Sequence, residues 1–359
     1  MAQAIRYTKS SDGARLAWTS IGAGPPLVRA SNWLTHLEYD LDSPVWRHWI
    51  RFYAAHFRCV RHDERGCGMS DWEVADLSFP RWIEDLEAVI AAARLDEPFA
   101  LIGISQGAST AITYAVRHPE RVSHLILYGG YARGWALRAD EEGLRRYRAI
   151  VELVQLGWGK DNPIFRHLFT SRFVPGGSDE QLRWFSELCA RTTTPAIASR
   201  LLATRADVDV RALLPQVRVP TLVLHARADE VTPLEESRYL ASEIPGAELV
   251  LLESKNHVLL EHEPAWARFQ QEVLRFTGRS ARAAPREDAR FHTLTARERE
   301  VLTHLAAGRT NAQVGKALFI SEKTVRNHVT KLFEKLGVSS RAQAIVLAHE
   351  RGFGATREG

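Results

Sequence analysis

Apolar and polar positions alternate in blocks along the first 277 residues. Short apolar runs at Leu27–Ala30, Phe57–Arg61, Phe99–Ile104, His124–Tyr128, Thr221–His225 and Glu248–Leu252 have the length and composition of strands. Residues 4–9 and 14–20 predict two more, joined at the turn Ser11-Asp12-Gly13. Between the runs, apolar residues recur at helical spacing, as with Trp82, Leu86, Val89 and Ile90 in Trp82–Leu95. Further helices are expected over Ala108–His118, over Pro264–Phe276, and over Pro44–His56, where proline would occupy the first turn. Strands alternating with helices predict an α/β fold with a mostly parallel, helix-covered sheet. The alternation breaks between Tyr131 and Val219. That stretch is mostly helical and rich in arginine and in aromatics (Trp135, Tyr147, Trp158, Phe165, Trp184, Phe185), so it predicts a helical cap, 131–219, inserted over the carboxyl edge of the sheet. Its aromatics read first as packing, and they suggest an apolar ligand, aromatic or acyl.

The pattern changes again beyond residue 277. A Gly/Ala/Arg/Pro-rich linker, 278–291, precedes a small all-α segment, 292–359. Thr295-Ala-Arg-Glu298 is a capping box opening a helix to Ala307, closed by Gly308. Asn311–Leu318 is a short second helix, Phe319-Ile320 a turn, and Ser321 the cap of a third helix ending at Leu336 before Gly337. Ser340–Arg351 is a fourth. On the third helix, Val325, Val329, Leu332 and Leu336 form one apolar stripe, and Lys323, Arg326, Asn327, Thr330 and Lys331 fall on the opposite face. Gly315 is expected to loosen the second helix.

Charge separates the two parts. The chain of 359 residues has a net charge of +4, but from His292 onward eleven Lys/Arg face six acids, leaving about −1 for the rest. An anionic partner is therefore expected for the tail alone. No apolar run reaches the roughly 18 residues of a membrane span, and Met1–Gly13 is polar, without the apolar core of a secretion signal. A cytoplasmic protein with no membrane association is expected. The three cysteines, Cys59, Cys67 and Cys189, have neither metal nor disulfide spacing, so no metal and no cofactor are expected.

The chemistry is concentrated at Gly103-Ile104-Ser105-Gln106-Gly107, a Gly-x-Ser-x-Gly turn between the run Phe99–Ile104 and the helix that follows it. A serine there can act as a nucleophile if a base lies within reach. Reactive groups of a parallel sheet collect beyond the carboxyl ends of its strands. Asp229 lies just past Thr221–His225 and His257 just past Glu248–Leu252, in the order Ser…Asp…His. His225, inside its strand region, and His262, placed in the next helix, are the weaker candidates. With Asp63-Glu-Arg-Gly-Cys-Gly-Met-Ser70, Asp229-Glu-Val-Thr-Pro233 and Asn256-His257, residues 1–277 resemble an α/β-hydrolase with a helical cap. The resemblance implies a catalytic triad of Ser105, Asp229 and His257. It also implies an oxyanion hole built from the Gln106 N–H and a second donor, Trp33 or Asn32, in a loop Ser31-Asn32-Trp33 where the family commonly carries His-Gly. His36, Glu38 and Tyr39, further along that loop, either line the pocket mouth or lie on the surface.

The tail, through Leu294–Leu302, Ser321–Val329 and Lys335–Val338, resembles the LuxR/NarL-type helix-turn-helix domain. That resemblance implies double-stranded DNA as a partner, base contacts from Arg326, Asn327 and Thr330, and phosphate contacts from Lys323 and Lys331. It also implies a homodimer pairing through the last helix, with RNA polymerase as a further partner. The expected function is a DNA-binding transcriptional regulator whose hydrolase-like part senses a small apolar, acyl or aromatic ligand and retains slow esterase or lactonase activity. The alternative is an active carboxylic-ester or lactone hydrolase whose DNA-binding tail serves autoregulation or localisation.

Overall fold

The computed structural model describes residues 3–33, 35–160, 165, 168–279, 294–338 and 340–349. The chain forms two compact units, Met1–Ser280 and Ala281–Gly359. Of the expected linker, only Gly278 and Arg279 lie among the described residues.

The first unit is built on an eight-stranded sheet. Its strands are β1 (Arg6–Lys9), β2 (Arg15–Ile21), β3 (Pro26–Ala30), β4 (Arg58–His62), β5 (Phe99–Ile104), β6 (Val122–Tyr128), β7 (Thr221–Ala226) and β8 (Glu248–Leu252). Their spatial order is β1-β2-β4-β3-β5-β6-β7-β8. β2 runs antiparallel to both β1 and β4, and the remaining pairs are parallel. All six residues of β5 are buried, because helices cover both faces of a parallel sheet and no side of a central strand meets water. The helices packed on the sheet are α1 (Arg47–His56), α2 (Phe79–Ala93), α3 (Gly107–Arg117), α8 (Leu234–Glu243) and α9 (Pro264–Phe276). Between β6 and β7 lies the cap, with α4 (Trp135–Arg138), α5 (Glu141–Gly157), α6 (Asp179–Thr192) and α7 (Pro195–Ala206).

Two boundaries differ from expectation. α1 starts at Arg47, not at Pro44, because the Ser43 hydroxyl accepts the N–H groups of Val45 and Trp46 (2.9 and 2.8 Å) and turns the chain before the helix begins. His262 lies in the turn ahead of α9, whose first residue is Pro264.

The second unit holds α10 (Ala296–Ala306), α11 (Asn311–Leu318), α12 (Glu322–Leu336) and α13 (Arg341–His349). Residues 350 and 351, expected to extend the last helix, lie outside the described residues. Two apolar clusters hold the unit together. Val301, Leu305, Val314 and Val325 form one, and Leu294, Leu302, Ala306, Leu332, Leu336, Ala344 and Ala348 the other. Val329 is only half-buried, so the stripe on α12 is narrower at that point than expected. Each of the first three helices has an N-cap side chain. Thr295 and Thr310 form capping boxes with Glu298 and Gln313, and Ser321 accepts the Thr324 N–H (3.1 Å).

Gly315 does not act as expected. It is buried in an intact α11, and a Cβ there would stand 2.8 Å from the Ile320 carbonyl oxygen. The glycine lets the turn fold back against the helix, where the Ile320 N–H donates to the Gly315 carbonyl (3.0 Å).

Glu298 joins α10 to α12. Its carboxylate is 4 % exposed and accepts the Lys335 ammonium at 2.7 Å as well as the Thr295 N–H at 2.8 Å. These bonds, with the Thr295 and Lys335 side chains, hold its pKa below the ordinary glutamate value against the opposing effect of burial. Glu298→Ala removes a cap and a charge-assisted hydrogen bond together, a loss of about 2 kcal/mol. Amide exchange across α10 in the full chain is expected to rise by roughly 30-fold. An unchanged rate would mean that Glu298 does not hold the two helices.

Candidate functional site

Ser105 is the first residue past β5, and its φ of +54° places a non-glycine residue in the left-handed region. That conformation costs about 1–2 kcal/mol for an L-residue, so the surroundings must impose it. They do so by close packing. A Cβ on Gly103 would lie 2.6 Å from Ala108 Cα, and one on Gly107 would lie 2.9 Å from the Ser31 carbonyl oxygen. The two glycines that flank the serine therefore let α3 press against β5 and the end of β3. The Ser105 N–H is tied to the Tyr128 carbonyl at 2.9 Å, and α3 points its amino end at the turn.

Asp229 and His257 arrive from the ends of β7 and β8. His257 Nδ1–H donates to Asp229 Oδ2 at 2.6 Å, and the two side chains are 2 % and 0 % exposed. Asp229 Oδ1 accepts the N–H groups of Val231 (2.7 Å) and Thr232 (3.1 Å), which fixes the carboxylate in place. Burial pushes the Asp229 pKa up, but His257 and these N–H donors outweigh it and bring it below the ordinary aspartate value. An ionised Asp229 fixes the tautomer of His257 with its proton on Nδ1, leaving Nε2 to act as a base. Nε2 is buried and has no hydrogen-bond partner among the described residues, while Ser105 and His257 line one cavity. Gly129, at φ +55°, lies under the ring, where a Cβ would be 3.2 Å from His257 Cε1. The loop that carries the histidine is braced by Asn256, which accepts the Gly176 N–H (2.7 Å) and donates to Glu263 (2.7 Å). His225 is turned elsewhere. It is buried against the Ser237 hydroxyl at 2.8 Å and does not line the cavity.

The cavity opens to solvent and has a mostly apolar and aromatic lining from the sheet end and the cap. Gln106 and Trp33 both line it, and neither backbone N–H has a protein acceptor among the described residues. Both are therefore free to serve an oxyanion. The loop before Trp33 is fixed from beneath, where Asn32 accepts from the buried Arg29 guanidinium and donates to the Trp33 carbonyl (3.1 Å). Trp33 itself is gripped by the cap. Its ring stacks on Trp158 with centroids 5.3 Å apart, meets Phe169 edge-on at 5.7 Å, and carries the Arg205 guanidinium 5.1 Å from its centroid. Arg205 is buried and bonded to Glu64 at 2.7 and 3.0 Å.

The cap aromatics thus divide between two tasks. Trp158 and Phe165 are core, whereas Trp135, Tyr147 and Phe185 line the cavity. Tyr39 does not reach the cavity. It stacks on Trp184 (5.0 Å) and donates to Glu187 (2.6 Å), so the loop of His36, Glu38 and Tyr39 fastens the cap. Arg205, Phe169 and Phe173 lacked any local sequence signal, since only the fold of the cap brings them to the site.

In the second unit, Lys323, Arg326, Asn327, Thr330 and Lys331 are all exposed on α12. Thr330 Oγ1 donates to the Arg326 carbonyl at 3.1 Å, and the other four side chains have no partner among the described residues. Phe319, in the turn before this helix, has φ +56° and is 96 % exposed.

Comparison with known proteins agrees with both halves. The family model described as alpha/beta hydrolase fold matches residues 37–264, and that of bacterial regulatory proteins, luxR family, matches 292–348. The chain is 30% identical over 241 residues to the pimeloyl-[acyl-carrier protein] methyl ester esterase of Nitrosomonas europaea, covering 66% of this chain and 90% of that protein. Its tail is 48% identical over 62 residues to the uncharacterized transcriptional regulatory protein YhcZ of Bacillus subtilis, 17% of this chain and 29% of that one. A hydrolase from Pseudomonas aeruginosa PA01 superposes with a TM-score of 0.63 at 25% identity, over 76% of this chain and 98% of its own. With its serine elbow, eight-stranded sheet and inserted cap, the chain belongs to the alpha/beta hydrolase fold family, and it carries a luxR-type DNA-binding domain at its carboxyl end.

Proposed function

We propose that the chain is a DNA-binding transcriptional regulator that uses its hydrolase-fold unit to sense a small apolar, acyl or aromatic ester or lactone, which it hydrolyses slowly. The observation that carries this reading is the presence, on one chain, of a bonded Asp229–His257 pair that shares a cavity with a strained Ser105 and of a capped helix with five exposed polar side chains after a tight turn. In the chemistry, Ser105 Oγ attacks the ligand carbonyl and its proton passes to His257 Nε2. The oxyanion takes the N–H groups of Gln106 and Trp33. His257 then returns the proton to the departing alcohol, and water releases the acyl group by the same route.

Trp33 supports slow turnover and sensing together. One oxyanion donor sits on a residue held by three side chains of the cap, so movement of the cap displaces that donor. Losing one such donor costs about 10²–10³ in rate. A ligand held under the cap favours one cap position, and the cap position is the state that the DNA-binding domain reads. The domain pairs with a second copy through α13 on an inverted repeat and meets RNA polymerase from there. The active-hydrolase reading, with the tail for autoregulation or localisation, draws on the complete Asp229–His257 geometry.

Operator affinity separates the two. Duplexes selected from a random pool by the full chain are titrated with Ser105→Ala, with and without an ester or lactone that raises its melting temperature. A coupling of about 1–3 kcal/mol is expected, and DNA should change ligand affinity by the same factor. An operator affinity unmoved by saturating ligand would leave the tethered hydrolase.

A further inference from the structure

Among the described residues, the cavity beside Ser105 has an uneven balance of charge. Three arginines line it, Arg138, Arg172 and Arg205, and no aspartate or glutamate does. Arg205 is neutralised by Glu64. The other two have no carboxylate partner. Arg138 donates only to neutral oxygens, the Arg133 carbonyl and the Tyr147 hydroxyl, both at 3.4 Å, the long limit of a hydrogen bond. Its guanidinium lies over the Tyr131 ring, 4.7 Å from the centroid. Arg172 donates to the Glu230 carbonyl at 3.2 Å.

A guanidinium stacked on a ring is held in orientation while its edge N–H groups stay available, and that edge matches a carboxylate in a two-pronged arrangement. Tyr147, which Arg138 contacts, is itself stacked on Trp135 (4.9 Å), so an aromatic wall adjoins the charge. The Arg172 guanidinium is held by the Glu230 carbonyl, one residue past Asp229, so it belongs to the same end of the cavity as the Asp229–His257 pair.

We infer that the ligand of this pocket is an anion, an aromatic or acyl ester bearing a free carboxylate, with Arg138 as its principal anchor and Arg172 as a second. The inference rests on the ester-binding reading of the same site. It adds that a diacid monoester is preferred over the corresponding neutral diester, whose second ester group offers the two half-buried guanidinium groups no carboxylate.

The test compares monomethyl with dimethyl terephthalate, and monomethyl with dimethyl adipate, binding to full-length Ser105→Ala by calorimetry. The monoester is expected to bind about tenfold or more tightly in at least one pair, with the preference shrinking as salt is raised. Adding Arg138→Gln should abolish most of that preference by weakening the monoester, while the diester still binds, as tightly as before or more so, which also shows that the pocket is still folded. Arg172→Gln should lower it less. Equal affinity for monoester and diester, or a preference that survives Arg138→Gln, overturns the anionic ligand while the ester pocket stands. Binding of neither member of either pair removes the ester pocket and the inference with it.

Discussion

A fluorophosphonate probe is expected to label the full-length chain and to leave Ser105→Ala unlabelled. The competing hydroxyls show why. Thr232 lines the same cavity and its Oγ1 is buried without a partner, but its own backbone N–H is bonded to Asp229 and no base is assigned to its hydroxyl. Ser31 Oγ is buried beneath the elbow and does not line the cavity. Among the described residues, Ser105 alone combines a half-buried position at the end of a central strand, a helix amino end behind it and a place in the same cavity lining as the His257 imidazole. His257→Ala should slow labelling by at least about 10³-fold, because a serine hydroxyl without a general base is a weak nucleophile at neutral pH. Asp229→Asn leaves the packing in place but destabilises the productive tautomer, and in a comparable triad the loss is about 10⁴-fold. Labelling that persists in Ser105→Ala would withdraw the elbow assignment, and with it the chemistry proposed for the cavity.

The second large effect lies on α12. Asn327→Ala and Arg326→Ala are each expected to weaken binding to a selected duplex by about 1–3 kcal/mol and to relax its sequence preference, since side chains of these types read base edges in pairs of hydrogen bonds. Both side chains are exposed and have no hydrogen-bond or ion-pair partner among the described residues, so neither substitution removes a side-chain contact that holds the domain together. Lys331→Ala should weaken all duplexes alike and lower the salt slope by about 1, as expected for the loss of one phosphate contact. Thr330 is a smaller contributor, because its hydroxyl is already donated to the Arg326 carbonyl. Gel-shift titration of each variant against selected and scrambled duplexes at several salt concentrations distinguishes these outcomes. A full sequence preference in Asn327→Ala would place the reading face elsewhere on the domain.

Packing reaches these sites unequally. In the helix-turn-helix, the proposed reading face is the outer face of one helix, and the residues that shape it are its neighbours in sequence. In the hydrolase unit, function lies where several chain segments meet, and each segment depends on the others for its position. Trp33 is positioned by Asn32 and Arg29 below and by Trp158, Phe169 and Arg205 above. A substitution in the cap can therefore move Trp33, the proposed oxyanion donor, more than a hundred residues away in the chain.

What the sequence determined by itself was local or periodic. β5, β8, α9, α11 and α12 occupy the residues that their patterns and caps indicated, because burial at a fixed period and a capping side chain are properties of a short stretch. The order Ser105, Asp229, His257 was legible for a related reason: each follows a strand that pattern alone identifies. The tertiary structure decided the rest. It exchanged β3 and β4 in the sheet, an arrangement set by which faces of neighbouring strands can be buried together and not by any one strand's residues. It made Gly315 a point of close approach, because only the folded turn brings the Ile320 carbonyl to 2.8 Å of where a Cβ would stand. It turned Tyr39 away from the cavity and onto Trp184, and it paired Arg205 with Glu64 across 141 residues of chain. It also left Arg138 and Arg172 facing the cavity with only neutral oxygens beside them. Each of these depends on contacts between residues distant in the chain, and such contacts leave no local pattern because any side chain of suitable size or charge could have made them.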